Sequence, residues 1–436
     1  MSGLTAGFAR ATITPPLHSP AIYGVTTFVD EIWDPLLVTA LFLGQGDEQA
    51  VLVGLDVCGI LGNTYQEMSE AVASKLGISS GQVWINASHT HSGPYLSTDL
   101  QQLLDSYGLC AVDVNYLKLV QATVAKLAAE AMEHAVPVSA WVGSASVDRV
   151  ASNRRVELED GRTIHRHGRP PKSYRRLPEG LIDPDVMTVR FEDSDRRPVG
   201  ALINYACHPT AAGGDLHRWV SADFVGHGRQ LVETTLGAPC LFLQGTAGDI
   251  GTGKWISSTP LGDVAAMGKR FAAGAVRALG EAQPTDGTNL RVERIHVELA
   301  LEPFPHLGEL ERRLEMAVPS GDAGTIVAAG DALAAARRAD QLRRAPIGAV
   351  AIGDLAVSLL PAEVFVAIGL RIKESSPFPH TLVSAYNDNS LQYVPTADAF
   401  AAGEYEIDGG WRYVAPGDGD RLARGALDAL SDVRRK

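Results

Sequence analysis

The sequence predicts an α/β protein: a mixed-sheet, multi-layer single domain with its functional site at strand ends. Three observations predict this. Short Val- and Leu-rich apolar runs alternate with stretches of helical spacing, the pattern of strands interleaved with helices. Hydrophobic residues make up 45% and charged residues 20% of 436 residues, ordinary globular usage that can bury a large core. No internal repeat and no low-complexity linker is visible, so residues 1–436 are read as one domain, although about 150 residues is the usual domain length.

In chain order, Leu36–Leu43 and Ala50–Asp56 read as buried strands, Thr64–Lys75 as a helix and Val83–Ser88 as a strand. Asn115–His134 is a long helix rich in Ala, Leu and Lys. Val186–Phe191 and Val199–Cys207 are strands around a charged turn, followed by a helix at Ala222–Thr235, a strand at Cys240–Gln244 and a helix at Gly262–Leu279. After Pro284, Leu290–Leu301 alternates apolar with charged residues, a strand with one wet face. Glu309–Met316 and Ala328–Arg344 form a helical excursion on the surface, about 305–345. Ala349–Ile352, Leu355–Leu360 and Thr381–Tyr386 return to strands, with a helix at Val364–Lys373.

Charge and composition exclude several functions. Lys plus Arg is 38 against 51 Asp plus Glu, a net charge of −13, which disfavours a general nucleic-acid binder. The first fifteen residues hold no apolar secretory core, and the longest apolar stretch, Pro35–Leu43, is too short for a membrane span. Cys58, Cys110, Cys207 and Cys240 lie far apart without a CxxC pair, so free thiols in the cytoplasm are expected. Against the acidic background, residues 154–176 hold eight Lys/Arg and three acids, with His165 and His167. This segment is a loop or a hairpin around Glu159-Asp160-Gly161, either solvated or a lid whose cations face an anionic group on a ligand.

Two histidine groups carry chemistry. His89 and His91 follow the strand Val83–Ser88, and positions i and i+2 of an extended segment share a face. Two imidazoles converging at a strand end suit a metal site. His208 ends another apolar strand, and Pro209 turns the chain there at once. Alone it is equally a satisfied core histidine; with His89 and His91 it makes a third imidazole at a strand end. Glu363, between a strand and a helix, is either a carboxylate ligand or a helix-dipole partner. Tyr386, Tyr393 and Tyr405 cluster around Asn387-Asp388-Asn389 in a stretch too polar for core. Gly248, Gly253 and Lys254 have phosphate-loop spacing, but Trp255 stands where Ser/Thr is required. The segment 243–254 is therefore read as a glycine-rich loop that approaches a small molecule closely.

Together these motifs resemble the neutral/alkaline, non-lysosomal ceramidase family. The resemblance runs from Gly7-Phe8-Ala9-Arg10-Ala11-Thr12-Ile13-Thr14-Pro15 through ASHTHSGP (87–94), ACHPT (206–210), SADFVG (221–226), LQGTAGDI (243–250), LPAEVF (360–365) and YVPT (393–396). It implies a zinc-dependent amidase acting on a linear amide, with Zn2+ held by His89, His208, Glu363 and Tyr393. It further implies His91, Tyr405 and Arg154 as catalytic residues, and Gly248 and Asp249 as contacts to the substrate. Three departures bear on the substrate. The family's secretory signal and C-terminal β-sandwich domain are not seen, Gly251 replaces a serine, and the basic loop surrounds the site. A smaller, polar N-acyl compound, neutral or anionic, is therefore expected in place of ceramide. An ester hydrolase on the same zinc site, a bimetal barrel amidohydrolase and a binding module with a vestigial site remain as alternatives.

Overall fold

The computed structural model describes residues 3–22, 24–213 and 218–435. Its main strands form three mixed sheets of one design. In the first, β1 (Thr5–Thr12), β2 (Leu37–Gln45) and β3 (Glu48–Leu55) run antiparallel, and β4 (Val83–Ala87) lies parallel to β3. The helix α1 (Asn63–Leu76) makes the parallel crossover, and α2 (Val114–Glu133) packs back on β1 and β2. The second sheet repeats this with β5 (Ser139–Ser146), β6 (Asp185–Glu192), β7 (Pro198–Tyr205) and β8 (Cys240–Gln244). Here α3 (Asp223–Leu236) is the crossover and α4 (Pro260–Gly280) the returning helix. The third uses β9 (Leu290–Glu298), β10 (Arg344–Ile352), β11 (Leu355–Leu359) and β12 (His380–Ser384), with α5 (Val366–Ser375) and α6 (Asp418–Arg435).

The expectation of no internal repeat is thus corrected at the level of architecture. One device recurs too. Gly7 on β1 and Gly143 on β5 each sit where a Cβ would stand 2.0 Å from a carbonyl of the returning helix, that of Ala131 and of Ala278. In the third unit the glycine has changed sides: Gly425 on α6 leaves room for Val297 of β9.

The sheets face one another across a shared core to which all three contribute, among others Phe8, Leu41, Phe191, Leu202, Leu355 and Val357. Helices cover the outer faces. Among the described residues no barrel closes, which removes the barrel-amidohydrolase alternative. Between β9 and β10, helices at Leu307–Ala317 and Ala323–Arg337 bury Leu310, Leu314, Ile326 and Leu333. This excursion is packed against the first unit as well as lying at the surface. The hairpin expected around Gly161 forms, pairing Arg155–Glu157 with Thr163–His165. No described helix is long and apolar enough to cross a membrane.

The last strands of the three sheets meet end to end. The Gln244 N–H donates to Asn86 Oδ1 (2.9 Å), the Asn86 amide donates to the Ala385 carbonyl, and the Ala385 N–H donates to the Gln244 carbonyl (3.0 Å). These groups are buried and would be costly unpaired. The hydrogen-bonded ring they form fixes the three strand ends relative to one another, and the candidate site is built on the loops that leave it.

Candidate metal centre

Each sheet supplies one donor. His89 follows β4, His208 follows β7 and Glu363 follows β11, and all three are buried. His89 Nδ1 lies 2.5 Å from the Cys58 carbonyl and His208 Nδ1 lies 2.6 Å from that of Ala247. A carbonyl only accepts, so both Nδ1 atoms carry the proton and both Nε2 atoms are bare. These lone pairs point at a third: His89 Nε2 is 3.3 Å and His208 Nε2 3.4 Å from Glu363 Oε2. Neither His208 Nε2 nor Glu363 Oε2 makes a hydrogen bond. Burial pushes His208 well below the ordinary imidazole range, with Arg154 and His89 adding to it.

Three converging lone pairs with no proton between them repel unless a cation joins them. A tetrahedral zinc with bonds of about 2.0–2.1 Å has ligand–ligand edges of about 3.3–3.4 Å, which matches the two imidazole–carboxylate distances. The second shell suits it as well, since each imidazole is oriented by a backbone carbonyl. The donor set and its spacing therefore fit zinc.

Tyr393 enters beside Glu363 because residues 363–364 and 393–394 form a short parallel ladder with Glu363 opposite Tyr393. Its hydroxyl accepts from Arg154 Nη2 at 3.1 Å. His91 Nε2 stands 3.3 Å from His89 Nε2. Tyr405 lines the same small cavity as His89, His91, Glu363 and Tyr393, together with Cys58, Tyr95, Gln392 and Trp411. Its volume of about 20 Å³ holds one ion or water. All seven metal and catalytic candidates thus lie in one place. Backbone strain gathers there: His89, Tyr386, Asp388, Gln392 and Glu404 all have positive φ.

Gly248 and Asp249 are occupied differently from the expected contact with substrate. A Cβ on Gly248 would stand 2.5 Å from the Glu363 carbonyl, and the Gly248 N–H donates to that of Val364 (2.9 Å). The close approach expected of the glycine-rich loop is made to the strand carrying Glu363. Asp249 accepts from Asn153 Nδ2 (2.9 Å) and the Val366 N–H (2.8 Å), and burial pushes its carboxyl up to about 6. Both residues hold ligand-bearing segments. Gly248→Ala is expected to weaken metal binding by about tenfold or more, the scale of an outer-shell defect. Competition with a chromogenic chelator would measure this, and unchanged affinity would show that the Glu363 strand adapts.

The basic loop also departs from the lid reading. Arg166 is buried and donates to the carbonyls of Asn153 (2.8 Å), Pro178 (3.1 Å), Tyr174 and Glu179. Arg169 pairs with Asp263 at 2.9 Å. Arg154 and Arg155 each lie 3.0 Å from Glu406, and His165 is 2.8 Å away. These cations are spent inside the protein. Lys254, the phosphate-loop lysine by spacing, donates to the Leu177 carbonyl.

Glu406 is the main residue that sequence reasoning missed. Burial opposes its charge, but Arg154, His165 and Arg155 hold it far below the usual carboxylate range. Its position directly after Tyr405 was the available signal. Tyr386, whose ring lies 4.6 Å from that of His89, was noticed without a role.

The family model described as neutral/alkaline non-lysosomal ceramidase, N-terminal, matches residues 38–246. The chain is ceramidase-like. The crystal structure of neutral ceramidase from Pseudomonas aeruginosa is similar, with a TM-score of 0.76 at 18% identity, covering 100% of this chain and 75% of that one. A structure described as ceramidase complexed with C2 gives 0.75 at 17% identity, covering 100% and 76%. At such identities the likeness speaks for the ceramidase-like fold. No curated protein matches in sequence at a significant level.

Proposed function

We propose that this ceramidase-like chain is a zinc-dependent hydrolase that cleaves the amide bond of an N-acyl compound. The observation that carries this is the set of three buried donor atoms, one from each sheet, in which His89 Nε2 and His208 Nε2 stand 3.3 and 3.4 Å from Glu363 Oε2. Zinc held by His89, His208, Glu363 and Tyr393 supplies Lewis acidity and a water acidified to a pKa near 7.

The protein's own groups do the rest. Arg154 is held charged by Tyr393 and Glu406 against the cost of burial. It donates to the Tyr393 hydroxyl and so fixes that oxygen toward the donor set. His91, adjacent to His89 and on the cavity wall, takes a proton from the attacking water and returns it to the leaving nitrogen. Tyr405, on the opposing segment, donates to the carbonyl oxygen as charge develops there. The cavity's closeness excludes bulk water, which strengthens each of these contacts.

The names of the matched family and of the similar structures make ceramide the first substrate to test, with smaller N-acyl amines beside it. Because Arg154, Arg155, Arg166 and Arg169 are engaged within the protein, a neutral N-acyl compound is favoured over one whose anion would need those four cations. Four free cysteines support a reducing, cytoplasmic location. The purified protein is expected to carry about one zinc per chain and to lose amide hydrolysis on chelation, with recovery on zinc addition. Absence of metal would leave the vestigial binding module, and hydrolysis of esters alone would move the reaction to that class.

A further inference from the structure

A cavity of about 620 Å³ lies apart from the metal centre, between β1 with the segment Trp33–Leu37 on one side and α3 with the start of α4 on the other. Such a volume suits a small molecule. Trp33, Leu37, Leu261 and Val264 give it an apolar wall, and Trp33 is held by stacking on Trp219 at 4.3 Å.

The charges in this cavity do not cancel. Arg10 and Glu233 pair with each other, and Arg229 is taken by Asp56 at 2.5 Å. Asp34 remains. Its carboxylate accepts from the Ser221 hydroxyl (2.5 Å) and the Ala222 N–H (2.7 Å), and among the described residues no ion pair includes it. A carboxylate offers about four lone-pair sites, so acceptor capacity is left over. Burial raises its pKa, the Asp56 charge adds to this, and Arg229, engaged with Asp56, only partly offsets it. Asp34 Oδ1 lies 3.4 Å from where a Gly226 side chain would begin, which places it against this turn of α3. The next residue, His227, also lines the cavity, and its buried Nε2 has no hydrogen-bond partner.

From the cavity, its wall and its charge we infer a second binding site, for a primary ammonium compound with an apolar chain or ring. An ammonium has three N–H donors and no acceptor, which complements the Asp34 carboxylate, and the unpartnered His227 Nε2 can accept in its Nδ1–H tautomer. Its apolar body lies along Trp33, Leu37, Leu261 and Val264. The amine released by amide hydrolysis belongs to this class, but the site stands without that reading.

Calorimetry on the whole chain with octylamine, octanol and octanoate tests this. Octylamine is expected to bind at least about tenfold more tightly than octanol, the scale of one charge-assisted hydrogen bond, and octanoate to bind least. Asp34→Asn should abolish the octylamine advantage. Ala265→Trp, which fills the cavity from α4, should abolish binding of octylamine and octanol alike, and it decides the matter if Asp34→Asn does not fold. Unchanged zinc content and circular dichroism would locate the loss at this cavity. Equal binding of octylamine and octanol, or an advantage that survives both substitutions, would overturn the inference. Because the readout is binding, a chain without amidase activity would sink the proposed function and leave this result intact.

Discussion

Glu363→Gln is expected to lose zinc and hydrolytic activity together while the fold survives. The substitution keeps the shape and removes the one carboxylate that faces two bare imidazole nitrogens at 3.3 and 3.4 Å. Outer-shell partners are worth about 10–100-fold in metal affinity, and a ligand should exceed that. The backbone role of Glu363, an N–H donating to the Gln392 carbonyl at 2.9 Å, is untouched by the change. Metal analysis after dialysis, with circular dichroism for the fold, measures the effect. Wild-type zinc content and turnover would mean that Glu363 serves only as a helix-end carboxylate.

Glu406→Gln is expected to be costly for a different reason. Its carboxylate is fully buried and faces two guanidinium groups and an imidazole, so neutralising it leaves buried cations without their partner. Removing one member of a buried pair typically costs about 3–5 kcal/mol. The segment after Tyr393 and the hairpin Arg155–His165 are joined here, so Tyr405 and Arg154 should also lose their setting and kcat should fall. Because the folded-state pKa of Glu406 is depressed, its stabilisation is present above the unfolded carboxylate value of about 4.3 and disappears as pH drops through the folded value. The stability difference between wild type and variant, from urea unfolding, should hold from neutral pH to about pH 5 and shrink below it. A difference under about 1 kcal/mol at pH 7, with kcat unchanged, would remove Glu406 from this role.

The major apolar strands and helices were legible because their apolar periodicity is strong: Cys240–Gln244 is found at the expected bounds, and β2, β3, β7, α1 and α4 lie within a few residues of them. The elements passed over have weak or mixed signals. β5 (SAWVGSAS) is mostly small residues because Gly143 must admit α4, and α6 opens on Asp418-Gly419-Asp420, which reads as a turn. The threefold repeat was invisible since it lives in strand order and pairing sense, which dissimilar side chains satisfy equally. At the site, the HxH spacing and the His-Pro strand end pointed to residues the structure brings together. The packing roles of Gly248 and Asp249 were not legible, because a glycine or carboxylate needed for backbone packing has the same local sequence as one that touches a ligand. Glu406 was passed over because its partners, Arg154, Arg155 and His165, are distant in the chain, and only tertiary structure joins them.

That one donor comes from each sheet has a consequence for how the protein is made. The proposed ligands His89, His208 and Glu363 are separated by long stretches of chain, and a pair of sheets alone presents at most two of them. Contacts so distant in sequence form late and slowly, because loop closure must precede any gain from them. The ion would therefore bind only the completed assembly and act as a tie among three units, adding RT ln(1 + [Zn]/Kd) to its stability. Zinc uptake during refolding would then time the docking of the third sheet onto the other two.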